Sequence, residues 1–479
     1  MVKKINLSNP IHQFSVVLAI NLIFFSVLYL CPTSNYNLHP PEGAYSGNIL
    51  RGSDVGSYLY PARNFIEQGI FGQGDKPGYL RTIGYSAYEV VLITIFGESF
   101  FWVAYFIQAI LAALVFATIT AICNFFIKDD SRVSKTVFAF LCLGGAYWSY
   151  FYLLATDLFF AFFFIAGIYY GIKAVADKSW KKCIIHILLI GYAASVRPTL
   201  ILYVIPELFI LLCAAAHFKT LADKKIKVMI GVTCASVLLL TNLPSLRNYV
   251  NYGVMKPSNV FEINLHHFLA KETLILVNRE DQYEREDAIA SNIEKVNWGD
   301  ACAFKKEAAF RTIREYPTEA LIVLTKHLVK NLATPHYLRG TFVLLFKFKE
   351  PSNAAQITLD GTIHSVHDLK QAVGLPILVL SIIFICIYPL LWLLVIKHLV
   401  RMVQQKQYLY CLTIVLFFGY LIAPTLPCAN GARSRLASEW LIVLLATVEF
   451  YYWRDKRKAN RLKNKALRVD SMTRQESTY

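Results

Sequence analysis

Charge is scarce in this 479-residue chain: Asp, Glu, Lys and Arg make up 17% of it and hydrophobic residues 56%. A typical soluble domain has about 25% charged residues and about 45–50% apolar ones, so a water-soluble globule is excluded. Repeated alternation of apolar and polar residues at period two is also missing, which excludes a transmembrane β-barrel. No period of about 20–50 residues recurs, so a repeat array is excluded as well. Ten cysteines are present without metal or disulfide spacing. Cys123, Cys142, Cys183, Cys213, Cys234, Cys386 and Cys411 lie in apolar runs and read as small hydrophobes, while Cys31, Cys302 and Cys428 are candidates for the outer side, with no pairing assigned.

What the chain does have is apolar residues in blocks. Phe14–Cys31, Trp102–Ile127 and Ile226–Leu243 are long enough to cross a hydrocarbon core as helices. The spacing predicts an all-α polytopic membrane protein with about ten spans, near 14–31, 100–127, 136–153, 157–175, 183–196, 199–216, 226–243, 373–396, 408–426 and 435–453. The first is read as a retained anchor, because its apolar run exceeds a signal-peptide core and Cys31-Pro32-Thr33 is a poor cleavage site.

The net charge of +16 is spread as a membrane protein spreads it. Lys128/Arg132/Lys135, Lys173/Lys178/Lys181/Lys182, Lys219/Lys224/Lys225/Lys227 and Lys397/Arg401/Lys406 sit between apolar runs, and the tail adds seven more cations from Arg454 to Lys465. By the positive-inside rule these segments and both termini are cytoplasmic, in a cell (inner) membrane. The basic tail then meets anionic lipid head groups, and no nucleic-acid partner is expected.

Four regions follow. Residues 1–243 form an N-terminal transmembrane module with a first extracytoplasmic loop at 32–84, followed by Tyr85–Phe96, which is too short to span and lies along the interface. Residues 244–372 form a larger extracytoplasmic loop region, 373–453 the C-terminal spans and 454–479 the cytoplasmic tail. Within 244–372, the acidic run Arg279–Asp287 reads as a solvated helix face. Tyr316-Pro317-Thr318-Glu319 starts a surface helix, with Leu321, Leu324, Leu328 and Leu332 on one side and Lys326, His327 and Lys330 opposite.

The residues able to do chemistry gather on the outer side. Asp54, in a glycine-flanked loop, is either a general base for a hydroxyl nucleophile or an N-cap for Val55–Gln68. Asp157, opening a span, is either a cap or a site residue. Arg81, Arg197, Arg247, Arg433 and Arg435 run against the positive-inside bias. Each either snorkels to head groups or joins an anion site, where a guanidinium fork suits a phosphate. His266-His267 and His364/His367/Asp368 are residue types that bind metals, but surface histidines are the default reading and no metal is assigned.

In order and membrane side, these residues resemble the GT-C superfamily of integral-membrane glycosyltransferases, nearest the branch of protein O-mannosyltransferases and the lipid A aminoarabinose transferase. The resemblance rests on Asp54…Tyr58-x3-Ala62, Arg81-Thr82-Ile83-Gly84-Tyr85-Ser86, Ala155-Thr156-Asp157, Arg197-Pro198, Arg247-Asn248-Tyr249-x2-Tyr252-Gly253, Tyr316-Pro317 and Arg433-Ser434-Arg435-Leu436. Ile83 and Ser86 replace family prolines, and Val55 follows the acid where the mannosyltransferases have Glu.

The resemblance implies a polyprenyl-phosphate sugar donor, a glycan, lipid or protein acceptor, and hexosyl or pentosyl transfer with inversion on the extracytoplasmic side. It casts Asp54 as general base and Asp157 as its helper at the acceptor. Arg81 and Arg435, with Arg433 and Arg247, would bind the donor phosphate, and Tyr58, Tyr85 and Arg197 would contact substrate. It requires no cofactor, while leaving room for a divalent cation. A lipid-linked-oligosaccharide flippase or an O-antigen-type polymerase is the alternative, and a membrane scaffold the non-enzymatic one.

Overall fold

A computed structural model describes residues 8–30, 56–72, 81–127, 130–144, 146–147, 150, 156–333, 375–427 and 435–476. Among these residues every regular element is helical and no strand occurs. In chain order the first helices are α1 (Pro10–Leu30), α2 (Gly56–Gln68), α3 (Gly84–Phe96), α4 (Phe100–Phe126), α5 (Ser131–Leu143) and α6 (Thr156–Ala176). Next come α7 (Trp180–Val196), α8 (Val204–His217), α9 (Lys224–Tyr252), α10 (Val260–Asn264) and α11 (Lys271–Leu276). The series closes with α12 (Glu280–Glu294), α13 (Trp298–Glu315), α14 (Pro317–Ala333), α15 (Leu375–Gln404), α16 (Tyr408–Ile422) and α17 (Glu439–Glu476). Among the described residues, five stretches are long and apolar enough to cross a membrane: Gly84–Phe126, Thr156–Ala176, Lys224–Tyr252, Cys386–Gln404 and Tyr408–Thr425.

Side-chain contacts fix the direction of each long helix. The Asn21 amide donates to the Ala109 carbonyl at 2.9 Å, Gln13 meets Thr120, and Asn124 donates to the Ser8 carbonyl, so α1 and α4 are antiparallel. Gly167 faces Ile190 and Gly171 faces His186, so α6 and α7 are antiparallel at close range, the usual use of small residues between membrane helices. The Cys183–Thr233 contact and the packing of Gly191 on Leu240 make α7 and α9 parallel. Cys213–Thr413 and Leu202–Tyr420 set α8 against α16. Tyr388–Glu439 and Arg401–Glu449 run α15 along α17, which Thr136–Tyr451 and Arg132–Asp455 set against α5. Taken together, α1, α4–α9 and α15–α17 alternate in direction, an up-and-down bundle of a polytopic membrane protein.

Two ends result. One carries basic turns, where Lys178 pairs with Asp223 at 2.7 Å and Arg132 with Asp455 at 3.1 Å. The other gathers the N-termini of α3, α6, α8 and α17 with the C-termini of α7, α9 and α16. Helices α10–α14 lie at this second end around small cores of their own, Leu265/Leu269/Ala270/Ala309/Val323 and Trp298/Cys302.

Several boundaries differ from expectation. Where a span is expected at 136–153, the α-helix among the described residues is Ser131–Leu143, which Asp130 caps at its start and Gly144 follows. Helix α9 does not stop at Leu243 but runs through Pro244 to Tyr252, where Gly253, at φ 70°, supplies the left-handed cap. The stretch expected along the interface is helix α3, joined by the 3₁₀ turn Gly97–Ser99 to α4, with which it makes one continuous apolar segment, Gly84–Phe126. The last span and the tail are one helix as far as Glu476.

On α14 the buried residues are Ala320, Val323, His327 and Asn331, while Leu321 is exposed, so the inward face is rotated from the expected leucine stripe. His327, expected on the polar side, is fully buried because both its nitrogens are used: one bonds Glu272 at 3.0 Å, the other the Leu426 carbonyl at 3.1 Å.

The His327 imidazole, with help from Lys326, holds the Glu272 carboxyl down at about 2. A carboxyl more acidic in the folded state contributes stability that is fully present above its unfolded value, near 4.3, and lost as pH falls from there toward about 2. Glu272→Gln is therefore expected to flatten the fall of the thermal midpoint between about pH 5 and pH 3. An unchanged slope in that variant would assign the acid sensitivity to other groups.

Candidate active site

At the second end of the bundle a cavity of about 730 Å³ opens between the transmembrane helices and the α10–α14 layer. That is within the roughly 300–1,000 Å³ typical of small-molecule sites. Among the described residues, three cationic side chains line it, Arg81, Arg197 and Lys256, against one lining carboxylate, Glu262. Tyr58, Thr156, His267 and Tyr420 add polar groups, and Ile201, Leu202, Val260, Phe261 and Phe268 make an apolar wall.

Local sequence explains how the cations meet. Gly84 sits so close to α7 that an added Cβ would fall 2.3 Å from Ser195 Oγ and 2.6 Å from the Ser195 carbonyl group. Only glycine permits that approach. The Thr82 hydroxyl then donates to the Val196 carbonyl at 2.9 Å and the Tyr192 hydroxyl to the Gly84 carbonyl at 3.1 Å, which locks the Arg81 segment to the end of α7. Arg197 is extended, φ −135° and ψ 131°, as a residue before proline prefers, and this turns it out of α7 toward the cavity. On the third side, the Asn248 side chain donates to the Lys256 and Pro257 carbonyls at 2.8 and 3.1 Å. With the Gly253 cap, it folds the chain after α9 back over the cavity.

The polar groups are interlinked. Arg197 forms an ion pair with the buried Asp157, its Nε donates to Thr156 Oγ1 at 3.1 Å, and its guanidinium lies over Phe160. The Tyr58 hydroxyl is 3.5 Å from Thr156 Oγ1, and the Arg81 guanidinium stands 5.4 Å from the Tyr58 ring centroid. Lys256 is 2.8 Å from Glu262. Tyr85 is fully buried behind this layer, edge-on to Tyr58 at 5.4 Å and to Phe159 at 5.5 Å, so it supports Tyr58 and does not line the cavity. Burial pushes the His266 imidazole down to about 4 and lowers that of His267, so both are neutral at pH 7.

The residues singled out from sequence divide into three groups. Tyr58, Arg81 and Arg197 line the cavity, with Asp157 directly behind Arg197. Arg247 and Arg435 do not line it. Arg247 bonds Asn248 Oδ1 at 3.0 Å and borders a second cavity of about 390 Å³ with Ile83, Leu188 and Leu240. Arg435 is completely buried, 2.9 Å from Glu439, against the Asn331 carbonyl and over the Tyr388 ring, where it braces α14, α15 and α17. Asp54, Arg433 and His364/His367/Asp368 lie outside the described residues, as do Cys31 and Cys428.

Sequence reading missed Lys256 and Glu262, and gave Thr156 no role beyond its place in the Ala155-Thr156-Asp157 element. The signal was available for the first: Lys256-Pro257-Ser258 closely follows the Arg-Asn-Tyr element and ends the turn that Gly253 begins. Missed too was the His186–Glu207 pair, 3.0 Å apart and fully buried, which joins α7 to α8 away from the cavity.

Fold and cavity define a polytopic all-α membrane protein with a cationic pocket at one end of its bundle. Residues 87–244 match the family model described as dolichyl-phosphate-mannose-protein mannosyltransferase, and this supports the resemblance to GT-C enzymes over that third of the chain. The segment contains Thr156, Asp157 and Arg197, with Arg81 and Lys256 just beyond its ends. The match supports a membrane glycosyltransferase that draws on polyprenyl-phosphate sugars in general. No curated protein and no solved structure matches the chain.

Proposed function

We propose that the protein transfers a sugar from a polyprenyl-phosphate donor to an acceptor hydroxyl, with inversion, in the 730 Å³ cavity. The observation that carries this reading is the convergence of Arg81, Arg197 and Lys256 on one pocket with an apolar wall. A lipid phosphate needs balancing charge, and its prenyl chain needs an apolar surface. The acceptor oxygen attacks the anomeric carbon and Asp54 takes the hydroxyl proton. The bond from that carbon to the phosphate oxygen breaks, and the lipid phosphate leaves with the electron pair beside the three cations. Asp157 acts through Arg197, which it orients. The basic ends of the helices mark the cytoplasmic side, so the cavity faces outward, in the cell membrane. Sugar, hexosyl or pentosyl, and acceptor, whether protein, lipid or glycan, are open to assay.

The test is turnover of a short-chain polyprenyl-phosphate sugar by the full chain in lipid nanodiscs. Arg81→Ala is expected to slow transfer by about 10²–10³, the effect of removing one charge-stabilising group from a developing oxyanion. Arg81→Lys should recover part of it, since a point charge replaces the fork. Donor that crosses between leaflets of proteoliposomes without being consumed would instead favour a flippase, and growth of a pyrophosphate-linked oligosaccharide a polymerase.

A further inference from the structure

Sugar transfer as proposed makes no use of a side-chain cluster behind the cavity wall. Between α10 and α11 the chain forms a π-helix, Leu265–Ala270, a rare conformation found mostly at functional sites. It presents His266 and His267 to α12, which supplies Tyr283 and Asp287. The two imidazole centroids are 5.2 Å apart, and His266 lies 5.1 Å from the Tyr283 ring. His267 Nδ1 is 2.7 Å from the Tyr283 hydroxyl and 3.8 Å from Asp287 Oδ1. One ligand atom from each of His266, His267 and Asp287 lies within 4.8 Å of the others.

What points to a ligand is His266. Its side chain is 0% exposed, and neither ring nitrogen has a hydrogen-bond partner among the described residues. Asp287 Oδ1 is buried and likewise without a hydrogen bond. Leaving such groups unsatisfied costs about 1–3 kcal/mol each, a cost that an ion accepting their lone pairs would remove.

We propose that His266, His267 and Asp287 bind one divalent transition-metal ion of the Zn²⁺ class. Two imidazoles and one carboxylate form a borderline donor set, whereas Mg²⁺ and Ca²⁺ prefer oxygen throughout. Metal–ligand lengths of about 2.0–2.2 Å put tetrahedral ligand atoms roughly 3.3–3.5 Å apart, so side-chain shifts of about 1 Å close the site. Three protein ligands leave a fourth position for water. Tyr283 orients His267 from outside the site, as partners of metal-bound imidazoles do. Lys305 and Lys271 border the cluster; the first is 3.7 Å from Glu294 and the second lies over the Tyr283 ring. Their repulsion sets the affinity below that of an all-anionic site. Because His267 also lines the large cavity, the ion pins that wall to α12.

The experiment strips the purified full-length protein with a chelator, restores Zn²⁺, and measures bound metal, thermal midpoint and, with Co²⁺ in place of Zn²⁺, visible absorption. Wild type is expected to take up one equivalent, gain a few degrees and show the d–d bands of nitrogen–oxygen coordination. His266→Ala and Asp287→Asn should each weaken Zn²⁺ binding by more than about 100-fold, beyond the loss from an outer-shell change. If His266→Ala does not fold, Asp287→Asn, at a half-buried position, carries the test. Stripped wild type that binds no Zn²⁺ at micromolar concentration overturns the proposal, as do variants that bind as much as wild type. None of these readouts depends on transfer activity.

Discussion

Arg197→Ala is expected to do two kinds of damage at once, a drop in transfer of about 10²–10³ and a loss of stability. The first follows from removing one of three cations around the departing phosphate. The second follows from Asp157, which is 2% exposed and loses its ion-pair partner. Breaking a fully buried pair by deleting one member costs about 3–5 kcal/mol, and the cost is smaller here because the Arg197 side chain is 20% exposed. The two effects separate in a double variant. Arg197→Leu combined with Asp157→Leu removes both charges, so stability should return to near wild type while transfer stays lost. Asp157→Asn alone should cost less activity than Arg197→Ala, because the Thr156 hydroxyl still accepts from Arg197 Nε at 3.1 Å. Recovery of transfer in the double variant would mean that the pair serves only the fold.

How legible this arrangement was in the sequence depended on the range of the interactions involved. Hydropathy reports burial in lipid, so the long helices were readable, and the basic turns gave their alternation. Helix ends inside polar segments were not. Pro244 looked like a stop, yet α9 passes through it, and one of its supports there is tertiary: the Asn242 amide donates to the Ile201 carbonyl at 3.2 Å. Arg81 and Arg197 stood out as cations expected on the side that the charge rule keeps poor in them. Their convergence rests on the Gly84–Ser195 contact between residues far apart in sequence. Conversely, Arg435 looked equivalent to them by position, and Glu439, one helical turn on, engages its charge. Lys256 went unnoticed because a lysine in a polar loop is ordinary until Asn248 is seen to hold that loop over the cavity.

Asp54→Asn should have the largest effect on transfer of any single change, about 10²–10⁴, which is what a general base contributes. The substitution separates two readings of the same residue. As a helix cap, asparagine is about as good as aspartate, so a purely structural Asp54 predicts normal folding and normal turnover. As a base, asparagine fails because its amide cannot take the acceptor proton, so folding is kept and turnover lost. Chain connectivity bounds the distance: α2 begins at Gly56 and delivers Tyr58 to the cavity, and four residues of chain span at most about 14 Å. A base also leaves a signature in pH. The acid limb of kcat against pH should vanish in Asp54→Asn, and Asp54→Glu should restore part of the rate with that limb displaced. Wild-type turnover by Asp54→Asn, with the protein correctly inserted, would move the proton acceptor elsewhere and leave the arginine cavity as a binding site whose chemistry is supplied by another group.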